Sequence, residues 1–189
     1  MKPQENILAD EEQNLLQRVR ALEEEALSTV FDTFYLPLYR YIYYRVGHKE
    51  TAEDLATEVF TRLLKDIKRG RGPKRYLKAW LYRVARNLIT DEFRRFKYRD
   101  HEPLDQQMAS PKQGVFDQAE VKILSQQARS ALEKLTDKQR DVIILKYLEG
   151  YENQEIAHIL RISVGAVKSL QHRGLAALRR HLVRTGVLT

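Results

Sequence analysis

The chain has 189 residues, 31% of them charged, with a formal net charge of +7 and a sequence pI near 9.5. That length holds one ordinary domain or two small ones, and the positive balance favours an anionic partner, either nucleic acid or an acidic membrane surface. There is no cysteine, which excludes disulfides, thiolate catalysis and most structural zinc sites. The opening residues, MKPQENILADEEQ, lack the apolar run of a signal peptide, and no apolar stretch is long enough to span a bilayer. A soluble, cytoplasmic chain without membrane insertion is expected.

Charge is distributed unevenly. Glu5, Asp10, Glu11, Glu12, Glu23, Glu24 and Glu25 make the first stretch acidic. After Glu155 there is no carboxylate side chain, yet Arg161, Lys168, Arg173, Arg179, Arg180 and Arg184 follow. A helical tail of one sign suits phosphates, whereas a merely solvated face usually mixes signs.

In chain order the pattern is helical nearly throughout. Eight glycines and five prolines interrupt it, and no segment alternates with period two. A first helix is predicted from about Glu12 to Tyr35, burying Leu15, Val19, Leu22, Phe31 and Phe34. Pro37 is expected to break it, with a short second helix through Tyr41, Ile42 and Val46 ending at Gly47. The third helix is capped by Thr51 and carries one apolar stripe: Ala52, Leu55, Ala56, Val59, Phe60, Leu63, Leu64 and Ile67. Asp54, Thr57, Glu58, Thr61 and Arg62 take its other face. After the basic turn KRGRGPKR, a fourth helix from about Lys74 to Phe96 buries Leu77, Leu81, Val84, Ala85 and Leu88. Residues 100–117, with Pro103, Pro111 and Gly114, read as a linker.

A second module begins with a helix near Asp117 to Leu135. Thr136 and Gln139 form a capping box for the next helix, which buries Val142, Ile143 and Leu145 and ends at Gly150. Two closely spaced helices follow, near Asn153–Leu160 and Ser163–Leu182. The expected fold is therefore all-α, two small modules joined by a flexible linker. The divisions are an acidic extension at 1–24, a first module at 25–99, the linker at 100–117 and a second module at 118–185.

Catalysis finds little support. The five histidines (His48, His101, His158, His172 and His181) are scattered and match no metal spacing, and no Gly-rich phosphate loop is present. No catalytic residue, metal or cofactor is expected, so the chain is not read as an enzyme.

The strongest local signal is QEIAHILRISVGAVKSLQHR at 154–173, which has a helix-turn-helix layout. Ala157 is small where two helices cross, and Ile156, Leu160, Ile162 and Val167 fill the space between them. Ser163 caps the second helix. On that helix Val167, Leu170, Gly174, Leu175 and Leu178 face one way. Lys168, Ser169, His172 and Arg173 take another face, where they could enter a major groove. The bland alternative is a helical hairpin with a basic outer face.

The fourth helix interleaves aromatics with cations. Arg75, Trp80, Arg83, Arg86, Asn87, Arg94 and Arg95 are its candidate nucleic-acid contacts, and Arg83, Asn87, Thr90 and Arg94 form a polar stripe. Aromatics stack on unpaired bases while cations follow the backbone, which suits single-stranded or melted DNA. Large aromatics usually pack, so Trp80, Tyr82 and Phe93 are equally readable as core. On the third helix, Asp54 and Glu58 repel each other one turn apart, and a basic partner would relieve them; a solvated face explains them equally well.

Taken together, EDLATEVF at 53–60, WLYRVARN at 80–87, LTDKQR at 135–140 and the helix-turn-helix resemble the extracytoplasmic-function (ECF) sigma factors of bacterial RNA polymerase. The likeness covers about residues 25–99 and 120–184. It implies a region 2, a linker and a region 4. It implies that Asp54, Thr57, Glu58 and Thr61 dock on the β′ clamp helices of core polymerase, with the β flap as a further contact. It also implies that the Arg/aromatic helix melts the minus-ten element, that the recognition helix reads the minus-thirty-five duplex, and that an anti-sigma factor is a partner. Thr57 stands where the family usually has Gln, Arg161 where a turn Gly is usual, and Glu152 where a capping Ser is usual; an Arg in that turn calls either for a strained positive φ or for a slightly different turn. Two rivals remain: a helix-turn-helix regulator whose first half is a sensor, and a mimic that binds an anti-sigma factor without touching DNA. The first needs neither 53–60 nor 80–95, and the second needs no phosphate-binding tail.

Overall fold

The structure, a computed structural model, describes residues 3–99 and 130–186. The expected linker at 100–117 and most of the helix expected near 117–135 lie outside the described residues. The chain divides into two compact units, residues 1–46 with 50–101 and residues 47–49 with 102–189. The described residues contain helices and turns and no strand.

The first unit holds α1 (Pro3–Arg20), α2 (Glu24–Val46), α3 (Lys49–Lys68) and α4 (Leu77–Arg99). The single helix expected from Glu12 to Tyr35 is two helices. The break falls at Leu22, which takes a left-handed φ of 59°. Arg18 fixes the corner: its guanidinium donates to Glu23 at 2.7 Å and to Glu25 at 2.8 Å. Those two carboxylates raise the Arg18 pKa above its ordinary value. Val19 is buried as expected, and Leu16 rather than Leu15 is buried beside it. Leu22 and Phe31 are exposed, and Leu15 and Phe34 only half-buried.

Pro37 does not end α2 but lies inside it. An interior proline costs about 3 kcal/mol, through its missing N–H and its clash with the preceding turn. Just beyond it Leu38, Tyr41 and Ile42 are fully buried, and each contributes about 1.5–3 kcal/mol when removed from water. Continuing the helix through Pro37 keeps all three in the core, and that gain exceeds the local cost. Gly47, at φ 81°, ends α2 as expected, since a left-handed residue after the last turn is cheapest as glycine.

Helix α3 starts at Lys49, so Thr51 lies in its first turn and does not cap it. Its stripe of Ala52, Leu55, Ala56, Val59, Phe60, Leu63 and Ile67 is buried, while Leu64 at the edge of the stripe is exposed. In α4, Leu77, Leu81, Ala85 and Leu88 are buried as expected and Val84 only half so. Tyr82 is fully buried and meets Tyr41 edge-on at 5.2 Å between ring centroids.

The second unit holds α5 (Asp137–Ile143), continued by a π-helical turn over Ile144–Leu148, then α6 (Asn153–Leu160) and α7 (Val164–Arg184). Within the described residues the preceding helix ends at 133. The Thr136–Gln139 capping box is present in both directions. Arg140 reaches back to donate to the carbonyls of Leu132, Glu133 and Leu135 at 2.8, 3.0 and 3.3 Å, closing the end of the preceding helix. From Asp141 to Leu145 every residue is buried. Five consecutive helical positions point all round the axis, so α5 and its π turn form the centre of this unit rather than an amphipathic flank. Gly174 of α7 lies directly against α5: a Cβ there would sit 3.0 Å from Ile143 Cγ1.

Candidate nucleic-acid interface

The helix-turn-helix is built as the sequence suggests. Ile156, Leu160 and Val167 are buried, and Ile162 and Ala157 are half-buried. Ser163 caps α7 by accepting from the Ala166 N–H at 3.1 Å. Helix α6 starts without serine: the Glu155 carboxylate accepts the Glu152 N–H at 2.8 Å, and the Glu152 carboxylate pairs with Lys146 at 3.2 Å. Arg161 takes φ 55° and ψ 49° and ends α6 as a left-handed residue, the conformation its place in the turn requires.

Val167 and Gly174 are buried against the unit, which turns the opposite side of α7 to solvent. Lys168, Ser169, His172 and Arg173 are all exposed there and line one shallow concavity. Arg173 Nε donates to the Ser169 carbonyl at 3.3 Å, which holds the guanidinium along the helix rather than folded away from it. Leu175, expected on the buried side, is exposed.

On α4 the candidate residues separate by exposure. Asn87, Thr90, Arg94 and Arg95 are exposed, while Arg83, Arg86 and Trp80 are half-buried. Arg94 lies 3.7 Å from Asp91 and Arg95 3.4 Å from Glu92. Exposed pairs of this kind are worth about 0–1 kcal/mol, so a phosphate can replace the carboxylates at little cost. Of the three ambiguous aromatics, Tyr82 is core, Trp80 is half-buried and Phe93 is exposed. Before the helix, Arg75 and Tyr76 are exposed, with Tyr76 at φ 54° and its carbonyl accepting the Trp80 N–H at 3.0 Å. Tyr76 belongs to the interleaved aromatics and cations of this segment, but no glycine there signals its left-handed turn.

The polar face of α3 is also exposed. Asp54 and Thr57 are open to solvent and Thr61 is half-buried. Glu58 accepts from Arg62 at 3.0 Å, so one of the two repelling carboxylates has a partner on its own helix. The Thr57 and Thr61 hydroxyls donate back to the Glu53 and Thr57 carbonyls at 2.9 and 3.1 Å, leaving their oxygens free to accept from outside. Among the described residues no cluster of His, Asp and Glu could hold a metal, and no helix is long and apolar enough to cross a membrane.

Two family models match these units: Sigma-70 region 2 over residues 30–99 and Sigma-70 region 4 over residues 125–178. The chain is 34% identical over 170 residues to the ECF RNA polymerase sigma factor SigX of Bacillus subtilis, covering 84% of each. It is 35% identical over 174 residues to the ECF RNA polymerase sigma factor BldN of Streptomyces coelicolor, covering 89% of this chain but only 64% of BldN. Its fold resembles that of the sigma factor RpoE from Bartonella quintana in complex with the anti-sigma factor NepR. That match has a TM-score of 0.61 and 22% identity, covering 82% of this chain and 95% of RpoE. The two matched regions define a transcription initiation factor of the sigma-70 class. Within that class, the chain belongs to the ECF RNA polymerase sigma factors. A region 2 over 30–99 accounts for the half that the regulator reading gives to a sensor.

Proposed function

We propose that this chain carries core polymerase to promoters by binding alone, with no catalytic step, metal or cofactor of its own, and that it works in the cytoplasm. In this reading the units divide as residues 25–99 and 118–185, with 100–117 as the linker between them. The reading rests chiefly on α7, where Lys168, Ser169, His172 and Arg173 stand exposed around one concavity while the opposite side packs into the unit. Lys168 and Arg173 would engage guanine or phosphate of the minus-thirty-five duplex, with Ser169 and His172 at base edges and Ser163 at the helix start.

In region 2, Arg75, Trp80, Arg83, Arg86, Asn87, Arg94 and Arg95 would hold the melted minus-ten strand, cations on the backbone and aromatics against bases. Asp54, Thr57, Glu58 and Thr61 would dock on the β′ clamp helices, and region 4 on the β flap. Regulation by an anti-sigma factor belongs to the same reading, supported by the complex of RpoE with NepR.

The test is run-off transcription with purified chain and core polymerase on promoters selected from random DNA. Specific initiation is expected only with both present. Tight duplex binding by the chain alone, with no association with core polymerase, would overturn the proposal in favour of a free-standing regulator.

A further inference from the structure

A second basic cluster lies at the far end of α7. Lys134, Arg180, His181 and Arg184 line a second concavity floored by Ala177. Lys134 comes from the turn after the preceding helix, so two separate elements bring cations to one hollow. Arg180 and Arg184 continue the helical stripe begun by Arg173, at spacings of seven and four residues. The hollow is thus joined by charge to the proposed recognition face and lies further along the same helix.

The ordinary explanation is that cations gather at helix C-termini to offset the dipole. Its magnitude is too small. Two C-termini meet here, each contributing about −0.5 of a charge, and the Thr185 hydroxyl shares its one proton between the carbonyls of His181 and Leu182 at 3.1 and 3.2 Å. Lys134, Arg180 and Arg184 bring three positive charges, so about +2 is left over even with His181 neutral. No carboxylate is among the residues that line the hollow, and the sequence has no carboxylate side chain after Glu155. Arg62, Arg94 and Arg95, by contrast, each have a carboxylate partner on their own helix.

We propose that this hollow is a second phosphate site, binding the backbone of duplex DNA beside the segment read by Lys168 and Arg173. It rests on the promoter-binding role proposed above. Because it contacts no base, it adds affinity and salt dependence without sequence preference.

The experiment measures promoter-duplex binding by the full chain with core polymerase from 50 to 200 mM salt. Wild type is compared with Arg180→Ala/Arg184→Ala, with Arg180→Lys/Arg184→Lys and with Lys168→Ala/Arg173→Ala. Losing two phosphate contacts lowers the salt slope by about 1.8, so wild type loses about 12-fold more affinity across this range than the double alanine variant. The lysine pair retains the wild-type slope, and base preference at the minus-thirty-five element is unchanged in both. An unaltered slope in the double alanine variant overturns the proposal. So does a variant that binds DNA normally but holds core polymerase less well, since the cluster would then face an acidic protein. If Lys168→Ala/Arg173→Ala also leaves binding untouched, the recognition-helix reading fails along with it; if only the Arg180/Arg184 variant is silent, that reading stands and this site does not.

Discussion

Replacing Arg140 with alanine tests what holds region 4 in shape. The guanidinium donates to three carbonyls at the end of the preceding helix, two of them in part-buried bonds, to Leu132 and Leu135. The Glu133 carbonyl is exposed and regains water once the arginine is gone. Counting only the two part-buried bonds, at about 1.5 kcal/mol each for a charged donor, gives a loss of about 3 kcal/mol. That corresponds to a roughly 100-fold rise in amide hydrogen exchange, read on peptides from α5 to α7 in the full chain. Arg140→Lys keeps the charge but not the fork, and should recover only part of the protection. A rise below about 3-fold in the alanine variant, within the error of such a difference, would show that the preceding helix ends securely without this clamp.

Asp54→Lys with Glu58→Lys should weaken core-polymerase binding by about 2 kcal/mol, roughly 30-fold, through like-charge contact, with thermal unfolding nearly unchanged; equal affinity would remove α3 from the docking role. Arg161→Gly should stabilise region 4 by about 0.5 kcal/mol, because relief of the left-handed penalty slightly exceeds the entropy glycine loses on folding, and a lower melting temperature would contradict this. Tyr39 is held above its ordinary pKa near 10, first by burial and then by Glu53. The folded state therefore keeps that proton longer than the unfolded chain. Stability is intact below pH 10 and falls as pH rises toward and through the folded value. Tyr39→Phe should lessen this alkaline loss in urea titrations at pH 9 and pH 11, and identical pH profiles would exclude Tyr39 as its source.

Much of this architecture was legible in the residues. The stripe on α3 is long and periodic, and seven of its eight members are buried. The capping box at Thr136 and the Ser163 cap are local chemistry, visible because each needs only residues three apart. The misreadings arose where contacts beyond the local residues decided against local punctuation. Leu22 bends the chain without glycine because Arg18 clamps the corner from the preceding turn. Pro37 fails to stop α2 because the residues beyond it are core. The π turn after Ile143 has no sequence signature, since an inserted residue changes the pairing of carbonyls and not the run of apolar side chains. The faces on α3, α4 and α7 were found from charge and spacing. The hollow at Lys134 was not, because it joins residues more than forty positions apart.

Gly174 follows Arg173 and faces the other way, into Ile143. The packing of α7 on the centre of its unit is therefore tightest at one bare backbone position, against Ile143 first and Gln139 next. Any enlargement at Gly174 or Ile143 pushes α7 outward, and any reduction at Ile143 lets it settle. Such changes would alter how far Lys168 and Arg173 project without replacing either residue. Interior substitutions at these two positions can thus move the exposed face of α7, and comparing only the outward-facing residues of two relatives would miss the cause.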